Sequence, residues 1–304
     1  IIYLEYKNRQ AKLEQLHLED FRSTSLFSAE VSFPAQLYIS PHHRKAAILD
    51  GSRCELKLYD RSSNISRSFR LANKAEHLNW SPDSHKIIIN GSLVISSANA
   101  QPRFKLEGSM GQWLADSLTL VYRQGRYNLR KVHCETGHDQ KVLSLPGEDI
   151  TGFAAHPGSH QLVIFSQLPA DRNTLTYSYN LLTGELKEFS RNDHSAVWSE
   201  DGNLLALIAR EYYGDFFPWF YQRLHLYSPA SLDQELDFLH GKSLKIYPGC
   251  FSPDHQYYVL ALSIPTAFFS LPEQPSDLFI KRIGSRTITQ ITLNQKVSYP
   301  VWVN

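Results

Sequence analysis

The sequence predicts an all-β fold made of repeated four-stranded units, and three features of the chain predict it. Each repeat begins with a short apolar strand, followed by a tight turn and a second apolar strand. No stretch keeps a helical period in its apolar residues. The repeat interval matches the ~40–50 residues of a four-stranded blade, which predicts a β-propeller. The first strands align at Ile39, Trp80, Trp113, Ala155, Trp198, Phe251 and Trp302.

The turn after the first strand is clearest in three copies, Ser81-Pro82-Asp83, Ser199-Glu200-Asp201 and Ser252-Pro253-Asp254. Proline presets φ at the second turn position, and aspartate favours the bent conformation that follows. Each repeated aspartate belongs to a different blade, so we interpret the set as turn caps rather than as catalytic or calcium-binding acids. The set comprises Asp83, Asp116, Asp201 and Asp254.

The number of first strands predicts seven blades, and six would result if a weaker copy, such as the one at Ile39 or Ala155, is a false match. The last copy stops soon after Trp302, whereas residues 1–33 hold strands without a first strand. We therefore predict a single domain over residues 1–304, in which residues 1–33 and 298–304 share blade 7. Pairing of the two terminal strands would close the ring and remove its open sheet edges.

The strands within a repeat differ in pattern. Second strands, such as residues 204–208, are continuous apolar runs, as expected where neighbouring blades cover both faces. Third strands alternate, and fourth strands, such as residues 66–71, are more polar. This gradient predicts a buried inner part and a solvated outer edge for each blade.

Composition excludes several classes of function. The chain has 31 basic and 30 acidic side chains, for a formal net charge of +1, with no basic stripe. Direct nucleic-acid binding by this domain is therefore not expected. Its three cysteines, Cys54, Cys134 and Cys250, form no C-x-x-C pair and no disulfide framework. We expect them to pack as small apolar side chains.

Nothing in the sequence predicts a membrane span. The longest mostly apolar stretch, residues 257–271, is too short and is interrupted by Pro265. The chain begins at Ile1 rather than Met, so we expect a processed or excised piece of a longer protein. We interpret residues 1–4 as a first β-strand, with the tail of a removed signal or anchor as the alternative.

The W-S-P-D-(G/S)-x-x-(I/L) pattern that begins at Trp80 resembles the repeat of TolB-like propellers. That repeat is related to WD-type repeats but lacks their Gly-His and Trp-Asp pairs. The resemblance spans residues 34–304, although the copies at Ile39, Trp113 and Ala155 depart from the pattern. It implies the fold more specifically than the function. The group includes periplasmic proteins, sensory domains of membrane-anchored bacterial regulators, and gating propellers of prolyl-type peptidases.

The motifs of common enzyme classes are absent. The chain has no G-x-S-x-G nucleophile turn, and the repeats leave no room for a separate hydrolase domain. The patterns of zinc peptidases, EF-hands, P-loops and dinucleotide sites are also missing. We therefore predict no cofactor and no catalytic residue, while an enzymatic role stays open through the channel residues considered next.

Five polar or aromatic residues precede or begin first strands, where segments of a propeller approach the central channel. Two of them are histidines, but the set is not a ring of histidines or carboxylates. We interpret it as polar lining of the channel mouth and predict no bound metal. The alternative is a metal-dependent lyase or hydrolase with its site there. The residues are His77, Gln112, His194, Tyr247 and Tyr299.

Insertions between the second and third strands of blades 4, 5 and 6 predict a partner-binding surface. In blade 5, residues 212–221 hold seven aromatic side chains flanked by Arg210 and Arg223, a composition typical of interface centres. The alternative is that the loop folds over its own blade. The predicted contact residues are Tyr212, Tyr213, Phe216, Phe217, Trp219, Phe220, Tyr221, Phe268 and Phe269.

Together these patterns predict a non-catalytic binding or sensing module. Its partner would be a protein or peptide, with a small ligand as the other option, bound on the face that carries the loops of blades 4–6. The TolB-like resemblance implies a periplasmic or extracytoplasmic location. It fits the sensory domain of a membrane-anchored bacterial regulator and a free periplasmic protein equally well. Contact with a membrane would then occur only through an anchor outside these residues.

Overall fold

The described part of the chain consists entirely of β-strands and connecting turns, which confirms the predicted all-β class. The computed structural model describes residues 1–7, 10–17, 19, 22–30, 35–50, 52–169, 173–213, 219–228, 235–242, 245–263, 277–285, 287–292 and 297–302. Residues 11–20 show a brief helical period that also fits a strand, and residues 11–16 of that stretch belong to a strand.

The strands are numbered in chain order. The first three are β1 (Ile2–Lys7), β2 (Gln10–Leu16) and β3 (Ser23–Glu30). Blade 1 contains β4 (Gln36–Ile39), β5 (Lys45–Asp50), β6 (Glu55–Asp60) and β7 (Ile65–Arg70). Blade 2 contains β8 (Leu78–Trp80), β9 (Lys86–Ile89), β10 (Leu93–Ser96) and β11 (Pro102–Lys105). Blade 3 contains β12 (Ser109–Trp113), β13 (Thr119–Gln124), β14 (Asn128–His133) and β15 (Asp139–Ser144).

The later blades follow the same plan. Blade 4 contains β16 (Asp149–Ala155), β17 (Gln161–Gln167), β18 (Thr174–Asn180) and β19 (Leu186–Arg191). Blade 5 contains β20 (Asp193–Trp198), β21 (Leu205–Tyr213), β22 (Trp219–Tyr227) and β23 (Glu235–Lys242). Blade 6 contains β24 (Lys245–Phe251), β25 (Tyr257–Ser263), β26 (Asp277–Arg282) and β27 (Ile288–Gln290). The last strand is β28 (Val297–Val301).

Each blade is a four-stranded antiparallel sheet. Blades 1–6 each use four consecutive strands, and the seventh sheet has the order β28-β1-β2-β3. The prediction of seven four-stranded units, rather than six, is confirmed.

Blade 7 joins the two ends of the described chain. Strand β28 pairs antiparallel with β1, with Ile2 opposite Val301 and Leu4 opposite Ser298, and the register shifts between these pairs. The innermost strand of this blade therefore comes from the C-terminal part of the sequence, as the truncated seventh repeat predicted. The pairing satisfies main-chain groups that would otherwise form an open sheet edge.

By its internal contacts the chain divides into two compact units, residues 38–196 and residues 1–37 with 197–304. The boundaries fall within β4 and β20. The first unit holds blades 2, 3 and 4 with most of blade 1, and the second holds blades 6 and 7 with most of blade 5. The prediction of a single domain over residues 1–304 stays a prediction.

Within residues 38–196, the core lies between successive blades. Ile87 and Ile89 of β9 pack into a cluster with Leu49 of blade 1, whereas Ile88 packs into a second cluster with Trp113 of blade 3. Alternate residues of one strand thus face different neighbours. This explains why a second strand is a continuous apolar run.

The second unit has the same arrangement. In β25, Tyr258 and Leu260 pack with residues of blade 5, whereas Val259 and Ala261 pack against Ile1 and other residues of blade 7. Outer strands such as β7, by contrast, are mostly exposed. The predicted gradient from buried inner strands to a solvated edge is confirmed in these blades.

The turn after the first strand is held by its serine. In blade 2 the Ser81 hydroxyl donates to Asp83 Oδ1 at 2.5 Å and accepts the main-chain N–H of Lys86 at 2.9 Å. Blade 6 repeats both bonds through Ser252, to Asp254 at 2.5 Å and from Tyr257 N–H at 2.9 Å. The serine therefore links the end of the first strand to the start of the second.

The third residue after this serine has a left-handed backbone. Its φ is 60° at Ser84, 78° at Gly202 and 57° at His255. In each turn its N–H donates to the serine carbonyl, for example Ser84 N–H to Ser81 O at 2.9 Å. Glycine adopts this conformation without steric cost, which accounts for the G/S position of the repeat.

Candidate functional site

Most of the predicted aromatic surface of blade 5 lies in a hairpin. Tyr212 and Tyr213 end β21, and Trp219 and Phe220 begin β22, with Tyr212 opposite Phe220 and Tyr213 opposite Trp219. The prediction of a loop was wrong for these residues and for Tyr221. Aromatic side chains favour strands and cross-strand pairing, which is the physical reason for the difference.

The described end of this hairpin, residues 212, 213, 219 and 220, extends beyond the pairing of β22 with β23. Pairing of β22 with β23 starts at Tyr221 opposite Lys242, and β23 ends there. Positions alternate between the faces of a strand, so Tyr212 and Phe220 belong to one face and Tyr213 and Trp219 to the other. Aromatic residues therefore occupy both faces of the extension, which we call the aromatic hairpin (residues 212, 213 and 219–221).

The rest of the predicted surface is only partly described. Phe216, Phe217, Phe268 and Phe269 lie outside the described residues, as do residues 170–172 in the blade 4 connection. The flanking arginines lie in the paired strands beneath the hairpin, with Arg210 opposite Gln222 and Arg223 opposite Ala209. Both arginines are half-buried.

The residues predicted to line the channel mouth differ in exposure and in contacts. His77 is exposed just before β8, and its main-chain N–H donates to Asn90 Oδ1 at 3.3 Å. His194 is an exposed residue of β20. Tyr247 of β24 is half-buried and packs against the cluster that contains Val259.

Gln112 serves a packing role between blades 3 and 4. Its side-chain Nε2 donates to the carbonyl of Phe153, and its Oε1 accepts the N–H of Ala155 at 3.0 Å. Both ends of the amide are thus bonded to the main chain of β16. Tyr299 lies in β28, and its side chain is outside the description. The channel-mouth role of these residues, and the enzyme that depends on it, stay predictions.

The repeated aspartates are turn caps, as predicted. Burial alone would raise the pKa of Asp83, but hydrogen bonds from Ser81 and from His85 N–H outweigh it and lower the pKa. Asp116 behaves likewise, with bonds from the Thr119 hydroxyl and main chain. At Asp254 the hydrogen bond from Ser252 is the main cause of a lowered pKa.

The structure contains a cavity beside the turns that the sequence did not predict. It measures about 340 Å³ and lies where the turns of blades 5 and 6 approach the end of β28. We call it the turn cavity. The residues that line it are Glu200, Asp201, Phe251, Ser252, Pro253, His255 and Trp302.

Several contacts fix the walls of the turn cavity. His255 Nε2 lies 3.1 Å from Asp201 Oδ1 and joins the two turns. The main-chain N–H of Trp302 donates to the sulfur of Cys250 at 3.0 Å. The Trp302 ring lies at 9° to that of Tyr257, with 6.3 Å between centroids. The sequence did carry a signal for this site, because equivalent turns of neighbouring repeats emerge at the same end of their blades.

Two of the three free cysteines pack as predicted. Cys134 contacts the apolar cluster between blades 2 and 3, and Cys250 contacts the cluster between blades 6 and 7. Burial raises the pKa of Cys134 to about 11 and that of Cys250 to about 12. Both thiols therefore stay protonated near neutral pH, which suits packing rather than nucleophilic chemistry.

Among the described residues, no three His, Cys, Asp or Glu side chains gather in a way that could hold a metal ion. The same part of the chain contains no helix with the length and apolar character needed to cross a bilayer.

Comparison with known proteins identifies the fold. No family model and no curated protein matches the chain. The C-terminal WD40 domain of Sif2 has a TM-score of 0.60 at 15% identity, over 92% of this chain and 77% of that one. The β-propeller domain of Cps50 (Swd1) from Myceliophteria thermophila has a TM-score of 0.57 at 10% identity, over 84% of each chain. Hydrazine synthase from Kuenenia stuttgartiensis has a TM-score of 0.60 at 11% identity, over 81% and 76%.

The chain is a seven-bladed β-propeller. At these identities the likeness extends to the fold alone. The two neighbours that are named as a WD40 domain and a β-propeller domain share this fold. The resemblance of the turn motif to TolB-like propellers in particular stays a prediction.

Proposed function

We propose that this propeller is a non-catalytic module that binds a protein or peptide partner through the aromatic hairpin of blade 5. The observation that carries the proposal is the register of β21 and β22, which assigns aromatic residues to both faces of a hairpin tip. A hairpin packed on its own blade would cover one face only. The other face would then remain available to a partner.

The composition of the hairpin supports recognition of a protein. Tyrosine, tryptophan and arginine are the residues that contribute most to binding at protein interfaces. The rings of tyrosine and tryptophan bury a large area at low entropic cost. Paired strands also hold their positions better than an irregular loop does, which lowers the cost of ordering on binding. The two neighbours named as propeller domains share the fold that carries the hairpin.

The test is selection of a peptide library on the immobilised protein, followed by affinity measurement on variants. We expect selected peptides to lose at least tenfold in affinity for Trp219→Ala, because an aromatic hot spot contributes about 2 kcal/mol or more. The matched control is Tyr127→Ala, which removes a 37% exposed aromatic residue from the corresponding connection of blade 3. Equal binding by both variants, with a lowered Tm for Trp219→Ala only, would show that the hairpin packs on its own blade.

We further propose an extracytoplasmic location, with the propeller acting as the sensory domain of a membrane-anchored bacterial regulator. The turn motif beginning at Trp80 supports this version through its resemblance to TolB-like repeats. Fusions of the natural full-length protein to alkaline phosphatase and to β-galactosidase in a Gram-negative host test it. Phosphatase activity alone is expected, and β-galactosidase activity alone would place the propeller in the cytoplasm.

A further inference from the structure

The turn cavity has an aromatic wall that the packing of the blades leaves partly uncovered. Trp302 is half-buried and Phe251 is 7% exposed. The Tyr257 ring is parallel to the indole of Trp302, and Phe251 meets Tyr258 edge-on with centroids 4.8 Å apart. The wall is therefore held in place by its own neighbours.

The same cavity is acidic. Glu200 is exposed and forms no hydrogen bond or ion pair with any described residue. Burial would raise the pKa of Asp201, but hydrogen bonds from Asn203 N–H and the Ser199 hydroxyl, and the nearby His255, lower it. Asp201 is therefore ionised at neutral pH. No lysine or arginine is among the described residues that line the cavity.

The turns that carry these acids are rigid. In blade 5 the Ser199 hydroxyl donates to Asp201 Oδ1 at 2.8 Å and accepts Leu204 N–H at 2.8 Å. His255 then links Asp201 to the turn of blade 6. A site of this kind requires little reorganisation on binding, which favours affinity.

We propose that the turn cavity binds a guanidinium group, presented by an arginine side chain of a partner protein. Guanidinium is planar and cationic, so it stacks on an indole face while donating two hydrogen bonds to a carboxylate. Trp302 would supply the indole face and Glu200 the carboxylate, with Asp201 adding negative charge. A lysine ammonium would match the charge but not the flat wall or the forked geometry.

This site is separate from the aromatic hairpin. Glu200 and Asp201 precede β21, whereas Tyr212 and Tyr213 end it, and the strand has 9 residues. At ~3.3 Å per residue the two sites lie roughly 30 Å apart. Loss of one site should therefore leave the other intact, and the two proposals can fail independently.

The test follows the indole N–H signals of the protein by two-dimensional NMR during titration with N-acetyl-arginine amide. The protein has 5 tryptophans, and Trp302→Phe assigns the relevant signal. We expect a saturable shift of the Trp302 signal. Glu200→Gln should weaken binding about two- to fivefold, the range for an exposed ion pair. Glu135→Gln, an exposed acid on blade 3, should leave it unchanged.

Two further probes decide whether a guanidinium is what is recognised. N-acetyl-citrulline amide has a planar group of the same shape as guanidinium but no charge. N-acetyl-lysine amide has the positive charge but no planar group. Weaker shifts with both are expected. An equal affinity for either probe, or no effect of Glu200→Gln, would overturn the proposal.

Discussion

His255 Nε2 lies 3.1 Å from Asp201 Oδ1 and links the first turn of blade 6 to that of blade 5. Asp201 is the second residue after its turn serine, and His255 is the third after its own. The same two positions meet in blades 2 and 3, where Asp83 N–H donates to Ser117 Oγ at 2.9 Å. The turn motif therefore has two roles, closing its own hairpin and contacting the next blade.

Acid should destabilise the protein through these turns. Asp83, Asp201 and Asp254 all have pKa values lowered from 3.8 in the folded chain. A lowered folded pKa stabilises the protein at pH values above the unfolded pKa, and this contribution is lost as pH falls through the folded pKa. We expect the midpoint urea concentration of unfolding to decrease when the pH is lowered below about 4. In the double variant Asp83→Asn with Asp254→Asn, the urea midpoint should fall less steeply as the pH is lowered. An unchanged dependence of the midpoint on pH would contradict this assignment.

The turn serine should contribute more to the free energy of unfolding than an exposed serine that also bonds to an aspartate. Ser81 is 0% exposed, and its loss leaves the N–H of Lys86 without its acceptor. We expect Ser81→Ala to cost about 1–3 kcal/mol of unfolding free energy in urea titrations. The control is Ser62→Ala, whose exposed hydroxyl donates to Asp60 at 2.6 Å, and it should cost less than ~0.5 kcal/mol. Equal costs would show that the buried bond adds nothing.

Two tryptophans at the same repeat position should respond differently to phenylalanine. Trp80 Nε1 donates to the carbonyl of Tyr38 at 3.1 Å, whereas the buried Nε1 of Trp113 has no hydrogen-bond partner among the described residues. We expect Trp80→Phe to lower the unfolding free energy by about 1 kcal/mol more than Trp113→Phe, since only the former leaves an acceptor unpaired. The reverse order would contradict the hydrogen-bond assignment.

One glycine is required by a close approach of two strands. A Cβ at Gly249 would overlap the carbonyl oxygen of Val259, within the irregular pairing of β24 and β25. Since that oxygen belongs to the main chain of a core strand, we expect Gly249→Ala to cost more than ~2 kcal/mol by thermal unfolding. The control is Gly158→Ala, where the nearest atom is 4.0 Å away. A near-neutral Gly249→Ala would show that the strands separate easily.

The sequence predicted the fold because its repeat marks turns and inner strands directly. Ser81-Pro82-Asp83 specifies a turn through local bonding, and the run at Ile87 needs apolar cover on both faces. The pairing of β1 with β28 followed from counting strands. Such features depend on local chemistry and on periodicity, both of which a single sequence carries.

The candidate sites were less predictable. Tyr212 and Trp219 were assigned to a loop because their segment is long, yet pairing extends through them. The turn cavity was missed because its walls come from residues about fifty apart, such as Asp201, His255 and Trp302. The bonds from the Gln112 amide to the main chain of blade 4 were not predictable from the sequence either. These features depend on register and on contacts between blades.

The most direct test of partner binding places a photoreactive phenylalanine analogue at position 219 of the natural full-length protein. Irradiation in the producing cell should yield one discrete crosslinked product, and mass spectrometry should place the link at residue 219. The same analogue at position 127 should give no such product. Crosslinks from position 219 only to other residues of this chain would contradict a partner-binding hairpin and support one that folds over its own blade.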